Sequence, residues 1–223
     1  MVWYNNKMSD TNLMTDPVLI AIVIVVILVS VILHELAHGL VAYWLGDDTA
    51  KMSGRLSFNP LRHIDWFMSV LLPLMLAITG GPIFGGAKPV PINTMKLKWG
   101  EWGFALVSIA GPLTNLILAF IGYVVLVFAG GVEWIAMTFS LVVVINIGFM
   151  VFNLIPIPPL DGSRVIYALA PDFIRKYMLQ MESFGIVIVL LLVLLSGNAF
   201  RMILDWAQSG ILEFFQILLS PFA

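Results

Sequence analysis

The sequence contains no cysteine. Disulfide frameworks, thiolate-bound metals and cysteine nucleophiles are therefore excluded together. Charge is nearly as scarce: Asp, Glu, Lys and Arg make up 11% of the 223 residues, where a soluble domain carries about a quarter. With a net charge of −2, there is no basic field for nucleic acid and no acidic tail. Histidine occurs only three times, so any metal centre must draw on those imidazoles and on carboxylates. A diiron membrane enzyme, which needs many histidines, is excluded by the same count. Hydrocarbon replaces the missing polarity. Hydrophobic residues reach 61% and mean hydropathy is +1.02, which excludes a soluble single-core protein and makes the lipid bilayer the expected surroundings.

The polar start, residues 1–16, gives way to Pro17–Leu33, a run without charge that continues through HELAHGLVAYW to Trp44. At 1.5 Å per residue, a helix of that length covers roughly 40 Å, enough to cross a bilayer with some tilt. A secretory signal would have a shorter apolar core and no His and Glu just beyond it. Asp47–Asp65 is polar, and its MSGRLSF stretch leans towards a short strand or hairpin element. Trp66–Thr79 is apolar but short, contains Pro73 and runs into Gly80-Gly81-Pro82. A membrane hairpin or re-entrant piece is compatible with these breaks, and a span is the alternative. Residues 85–97 form a proline-rich, extended loop. Further spans are expected at about Gly103–Phe128 and Glu133–Phe152, the second ended by the three prolines of NLIPIPPLDG at 153–162. Arg164–Glu182 is amphipathic, Phe184–Leu195 is a fourth span candidate, and Arg201–Leu219 is a weak span or an interfacial helix.

Charge placement gives an orientation. If the C-terminal end of the first span faces the cytoplasm, residues 45–65, 80–100 and 161–182 lie inside with nine of the eleven Lys and Arg residues. This is the positive-inside bias.

His34-Glu35-Leu36-Ala37-His38 is an H-E-x-x-H sequence on a predicted helix. Residues four apart share a helical face, so both imidazoles reach one zinc ion while Glu35 is placed to take a proton from its water. Ionisable groups in a membrane helix cost at least ~2.5 kcal/mol each and are functional by default. Simple pairing inside a bundle is the bland alternative. Two histidines leave a catalytic zinc one protein ligand short. His63 sits in the polar NPLRHID stretch, where solvation explains it. Asp161, in Pro158-Pro159-Leu160-Asp161-Gly162, follows a span through a stiffened segment. It is either a carboxylate aimed into a membrane cavity or the N-cap of a following helix. The two crossings after the first span return the chain to the side of His38. His34, His38, Asp161 and a water would then complete an open four-coordinate site. Later acids (Glu133, Glu182, Glu213) sit in no fitting motif.

Three segments, LHELAHG (33–39), AGPLTN (110–115) and FNLIPIPPLDGSR (152–164), resemble in order and placement the site-2 protease family of intramembrane zinc metalloproteases. NPLRHID (59–65) and AKPVPIN (87–93) further resemble its small bacterial and archaeal branch, which has no extra domains. The resemblance implies a single membrane-embedded metalloprotease domain over 1–223, with a core at 17–165 and C-terminal membrane segments at 183–222. It implies an all-α polytopic fold of about four to six membrane segments. Three core helices, a re-entrant or β-like element and broken helix ends would surround one Zn²⁺. It makes His34, His38 and Asp161 the ligands and Glu35 the general base. The expected partners are the bilayer and a transmembrane segment of a membrane-protein substrate, in a multi-pass cell-membrane protein. The helical position of His38, roughly 9 Å from the end at Trp44, sets the site nearer the cytoplasmic face.

A substrate helix must unwind before its carbonyl can be attacked. An edge near 51–58, or the extended 87–93 loop, would pair with the unwound segment. Asn115 and Asn153 are the candidate substrate-binding amides, placed to donate to a developing oxyanion. The resemblance favours Asn153, while interhelical hydrogen bonding is the alternative for both and for Asn146. A transporter or zinc-binding scaffold with a polar midplane site is the non-enzymatic reading.

Overall fold

The computed structural model describes residues 16–71, 75, 86–129 and 131–221. It is helical, and no strand occurs among the described residues. Helix α1 (Pro17–Trp44) starts where the sequence places it. The Asp16 carboxylate accepts from the Val18 amide at 2.9 Å, and Pro17 gives up no hydrogen bond in the first turn. A one-turn helix α2 (Thr49–Met52) follows. Helices α3 (Gly100–Ala129) and α4 (Glu133–Asn153) are the next long elements, each within three residues of the expected bounds.

The polar segment between α1 and α3 departs from expectation. MSGRLSF forms no strand: Met52 ends α2, and residues 53–59 run irregularly to a 3₁₀ turn at Pro60–Arg62. Strand propensity needs a partner strand to act on, and here the chain is held instead by side chains. A π-helical turn spans Trp66–Leu71. The remainder of the expected hairpin, other than Met75, lies outside the described residues. Beyond Asn153 the chain makes successive tight turns, with Ile157 N donating to Ile155 O and Leu160 N to Ile157 O, and the Pro158–Pro159 peptide is cis. The amphipathic region is two helices, α5 (Asp161–Leu169) and α6 (Asp172–Glu182). The two C-terminal segments are one continuous helix, α7 (Gly185–Leu219), because residues 196–200 are helical as well.

Among the described residues four segments are long and apolar enough to cross a membrane: α1, α3, α4 and Met202–Leu219 within α7. With this family of helices the protein is a polytopic membrane protein. Helix α3 is the hub, packed against α1, α4 and α5. One apolar cluster joins Ala119, Val143, Ile147, Leu212 and Phe215 across α3, α4 and α7. Its Phe215 ring meets Phe120 and Tyr123 edge-on or tilted, with centroids 5.1 and 5.7 Å away.

The cation-rich stretches gather at one end. Lys98 N donates to Leu45 O at 2.8 Å, and Lys88 N to His63 O at 2.9 Å. The buried Asp47 carboxylate accepts from Asn93 N at 2.6 Å and from Thr49 N at 3.0 Å. Outside the spans, Lys96 contacts Asp48 at 2.6 Å and holds that exposed carboxyl below its usual range.

Candidate metal centre

Helix α1 carries His34, Glu35 and His38 on adjoining turns, and both imidazoles are buried. Their Nε2 atoms lie 3.0 Å apart, with the rings edge-on at 4.6 Å between centroids. Asp161 arrives from the first turn of α5. Its Oδ2 is 3.2 Å from His34 Nε2 and 3.3 Å from His38 Nε2. The N-cap position belongs to Leu160, and no side chain caps this helix, so the capping role weighed for Asp161 is not used. Gly162 serves close packing rather than a reversal: a Cβ there would overlap the Leu154 carbonyl and reach 2.9 Å from Ile155 O.

The second nitrogen of each histidine fixes what the first can do. His34 Nδ1 donates to Asn115 Oδ1 at 2.6 Å, and His38 Nδ1 donates to the Val107 carbonyl at 2.7 Å. A neutral imidazole that donates through Nδ1 carries a lone pair on Nε2. Two lone pairs and a carboxylate oxygen thus converge within 3.3 Å, and that oxygen is buried with no hydrogen bond. Such a cluster repels itself unless a cation lies among the three atoms. Tetrahedral zinc, with bonds of about 2.0–2.1 Å, sets neighbouring ligand atoms roughly 3.3 Å apart, matching these separations. Among the described residues this is the one His/Asp/Glu group able to hold a metal.

Helix α3 supplies the wall behind the histidines. A Cβ at Gly111 would fall 2.6 Å from both Cε1 and Nε2 of His34. Pro112, inside the helix, takes away the amide that the Ser108 carbonyl would otherwise bind. The AGP tripeptide is therefore a place where one helix yields to another's imidazoles.

A cavity of about 560 Å³ opens beside the cluster, lined by His34, Glu35, His38, Asp161 and Asn153 together with Val90, Phe104, Ser108 and Arg164. Glu35 Oε2 accepts from the Val90 amide at 2.9 Å. Asn153, half-buried, donates one N–H to Phe149 O at 3.0 Å and keeps its other amide groups. Arg164 pairs with Glu182 and lies over the Phe104 ring, 4.9 Å from its centroid.

Asn115, expected as a substrate-binding amide, is placed away from the cavity. It is wholly buried and absent from the cavity wall, with its oxygen on His34 and its Nδ2 on Asn146 Oδ1 at 2.9 Å. Asn146 Nδ2 in turn reaches Ser30 Oγ and Val142 O, at 2.9 and 2.8 Å. The interhelical alternative is the one realised, and it orients a histidine. His63 stands apart from the metal group, its Nε2 donating to Ser57 O at 2.7 Å. Residues 88–91 offer an incoming strand no free N–H: the Lys88 and Val90 amides are taken, and Pro89 and Pro91 have none.

Peptidase family M50 matches this chain at residues 22–137 and 132–196. The chain belongs to peptidase family M50. It is 40% identical over 209 residues to YwhC of Bacillus subtilis (strain 168), covering 89% of this chain and 92% of that one. Rip2 of Mycolicibacterium smegmatis is 30% identical over 172 residues, covering 75% of this chain and 64% of its own. MJ0611 of Methanocaldococcus jannaschii is 32% identical over 159 residues, covering 67% and 74%. All three carry the designation of zinc metalloprotease. No solved structure matches. As a member of the M50, or site-2 protease, family the protein is a membrane-embedded zinc metalloprotease.

Proposed function

We propose that the protein hydrolyses peptide bonds within or near transmembrane segments of other membrane proteins. The observation that carries this reading is the meeting of His34 and His38, on the membrane-spanning helix α1, with Asp161 at the start of α5, and Glu35 and Asn153 on one cavity. His34, His38 and Asp161 are assigned as the zinc ligands. When bound, zinc acts as a Lewis acid that makes water nucleophilic near neutral pH. Glu35 accepts the proton of the attacking water and returns it to the leaving nitrogen. The Val90 amide orients the carboxylate for both transfers. Asn115 and Val107 O hold the imidazoles so that their Nε2 lone pairs stay directed at the ion. Asn153 positions the substrate, its uncommitted N–H placed to donate to the carbonyl oxygen under attack.

His38 lies roughly 9 Å along the helix from the Trp44 end of α1. The same end gathers Lys51, Arg55, Arg62, Lys88, Lys96 and Lys98, which orients it to the cytoplasm. Cleavage therefore falls inside the bilayer near its cytoplasmic face, in a multi-pass protein of the cell membrane.

The test is Glu35→Gln in vesicles containing a single-span membrane protein with a Gly-Pro pair in mid-span. Wild-type protein is expected to cut within the span, and the variant to lose at least about 100-fold in rate with one zinc retained. Unchanged cleavage by the variant would remove Glu35 from the mechanism.

A further inference from the structure

Arg55 is a buried cation that the chemistry above does not use. It is 7% exposed, and among the described residues it pairs with no carboxylate. Its two Nη atoms are spent on main-chain carbonyls, while Nε is buried without a partner. Nη1 donates to Arg62 O, and Nη2 donates to Lys88 O and, at 3.0 Å, to Pro89 O. Taking a guanidinium out of water to bind peptide oxygens is costly unless the peptides so held matter.

The Pro89 carbonyl and the Val90 N–H belong to a single peptide unit. In a trans peptide the two point in opposite directions. Arg55 therefore grips one end of this unit, and the other end donates to Glu35 Oε2 at 2.9 Å. Charge on the oxygen side polarises the amide and strengthens its hydrogen bond to the carboxylate, since bonds in series reinforce one another. Val90 precedes Pro91 and is therefore kept in the extended region, which limits rotation at one end of the unit while Arg55 and Glu35 hold its oxygen and its N–H. The Lys88 N to His63 O bond ties the same loop to the same segment.

We propose that Arg55 is a positioning residue for Glu35, acting through the 89–90 peptide to hold the carboxylate in its working orientation. This rests on the assignment of Glu35 as the proton carrier. Arg55 touches neither substrate nor the metal ligands. Its loss is therefore expected in kcat, with KM and zinc content unchanged.

Two independent changes interrupt the relay. Arg55→Lys leaves a point charge able to satisfy one carbonyl but not the fork. Val90→Pro removes the N–H and leaves Arg55 in place, in a segment already extended between prolines. Each is expected to lower kcat by roughly 10- to 100-fold, the range for partners of catalytic groups. The double variant is expected to fall no further than the worse single one, because both act on one bond.

Zinc per chain and the melting temperature are measured alongside. If Arg55→Lys keeps full kcat while Glu35→Gln is inactive, the Arg55 proposal fails and the protease reading stands. If the two losses multiply in the double variant, Arg55 does not act through this peptide. If both Arg55→Lys and Arg55→Gln lose zinc or fail to accumulate folded, Arg55 is a scaffold residue and the proposal fails too.

Discussion

His34 and His38 sit on neighbouring turns of one helix, but the structure supports them differently. His34 leans on side chains: Asn115, then Asn146, then Ser30, a hydrogen-bonded series that crosses from α3 to α4 and back to α1. His38 leans on main chain, the carbonyl of Val107. The first support is built of removable groups and ties three helices together. The second survives any substitution at 107 that keeps the helix intact. Both depend on α3 approaching α1 at Gly111.

The largest effect is expected where the two supports meet. Gly111→Ala puts a methyl 2.6 Å from the His34 ring, which cannot move aside without leaving the ion. Zinc titration of this variant should show loss of stoichiometric binding, and cleavage should vanish. Full occupancy would mean that α1 and α3 can separate without cost to the site. Next comes Asn115→Ala, which strands the His34 Nδ1–H and Asn146 Oδ1 in the core. Zinc affinity should fall roughly 10- to 100-fold, as for other outer partners of metal-bound histidine. An unchanged dissociation constant would show that His34, like His38, needs no side-chain support. The smallest effect is expected for Asn146→Ala, one bond further out. An interhelical hydrogen bond in a membrane averages about 0.6 kcal/mol, so zinc affinity should weaken about threefold. A loss as large as that of Asn115→Ala would make the series a single cooperative unit.

Much of this was readable from residues in order. The first span is seen at Pro17–Trp44 as expected, because Asp16 and Pro17 are a local start signal and the apolar run is long. That His34 and His38 share a helical face follows from their spacing, and the return of Asp161 to their side follows from the two crossings between them. The partners of Asn115 were not legible because they are distant along the chain: His34 is 81 residues earlier and Asn146 is 31 later. An amide in an apolar helix signals a function without saying which. MSGRLSF was misread for a related reason. Its residues alternate like a strand, but Arg55, one of its polar members, turns inward to the 88–89 carbonyls and fixes an irregular path. The continuity of α7 was also hidden, since polar residues between two apolar stretches look like a boundary when nothing local marks a stop.

The distance in sequence between the histidines and Asp161 has a consequence for biosynthesis. A ribosome adding about 5–20 residues per second delivers His34 and His38 to the membrane roughly 6–25 s before it delivers their third partner. During that interval the first helix carries two imidazoles and a carboxylate into lipid with no ion-binding site complete. On the ligand set proposed above, metal loading is a late event that follows insertion of α4, and a nascent chain released early holds no complete site.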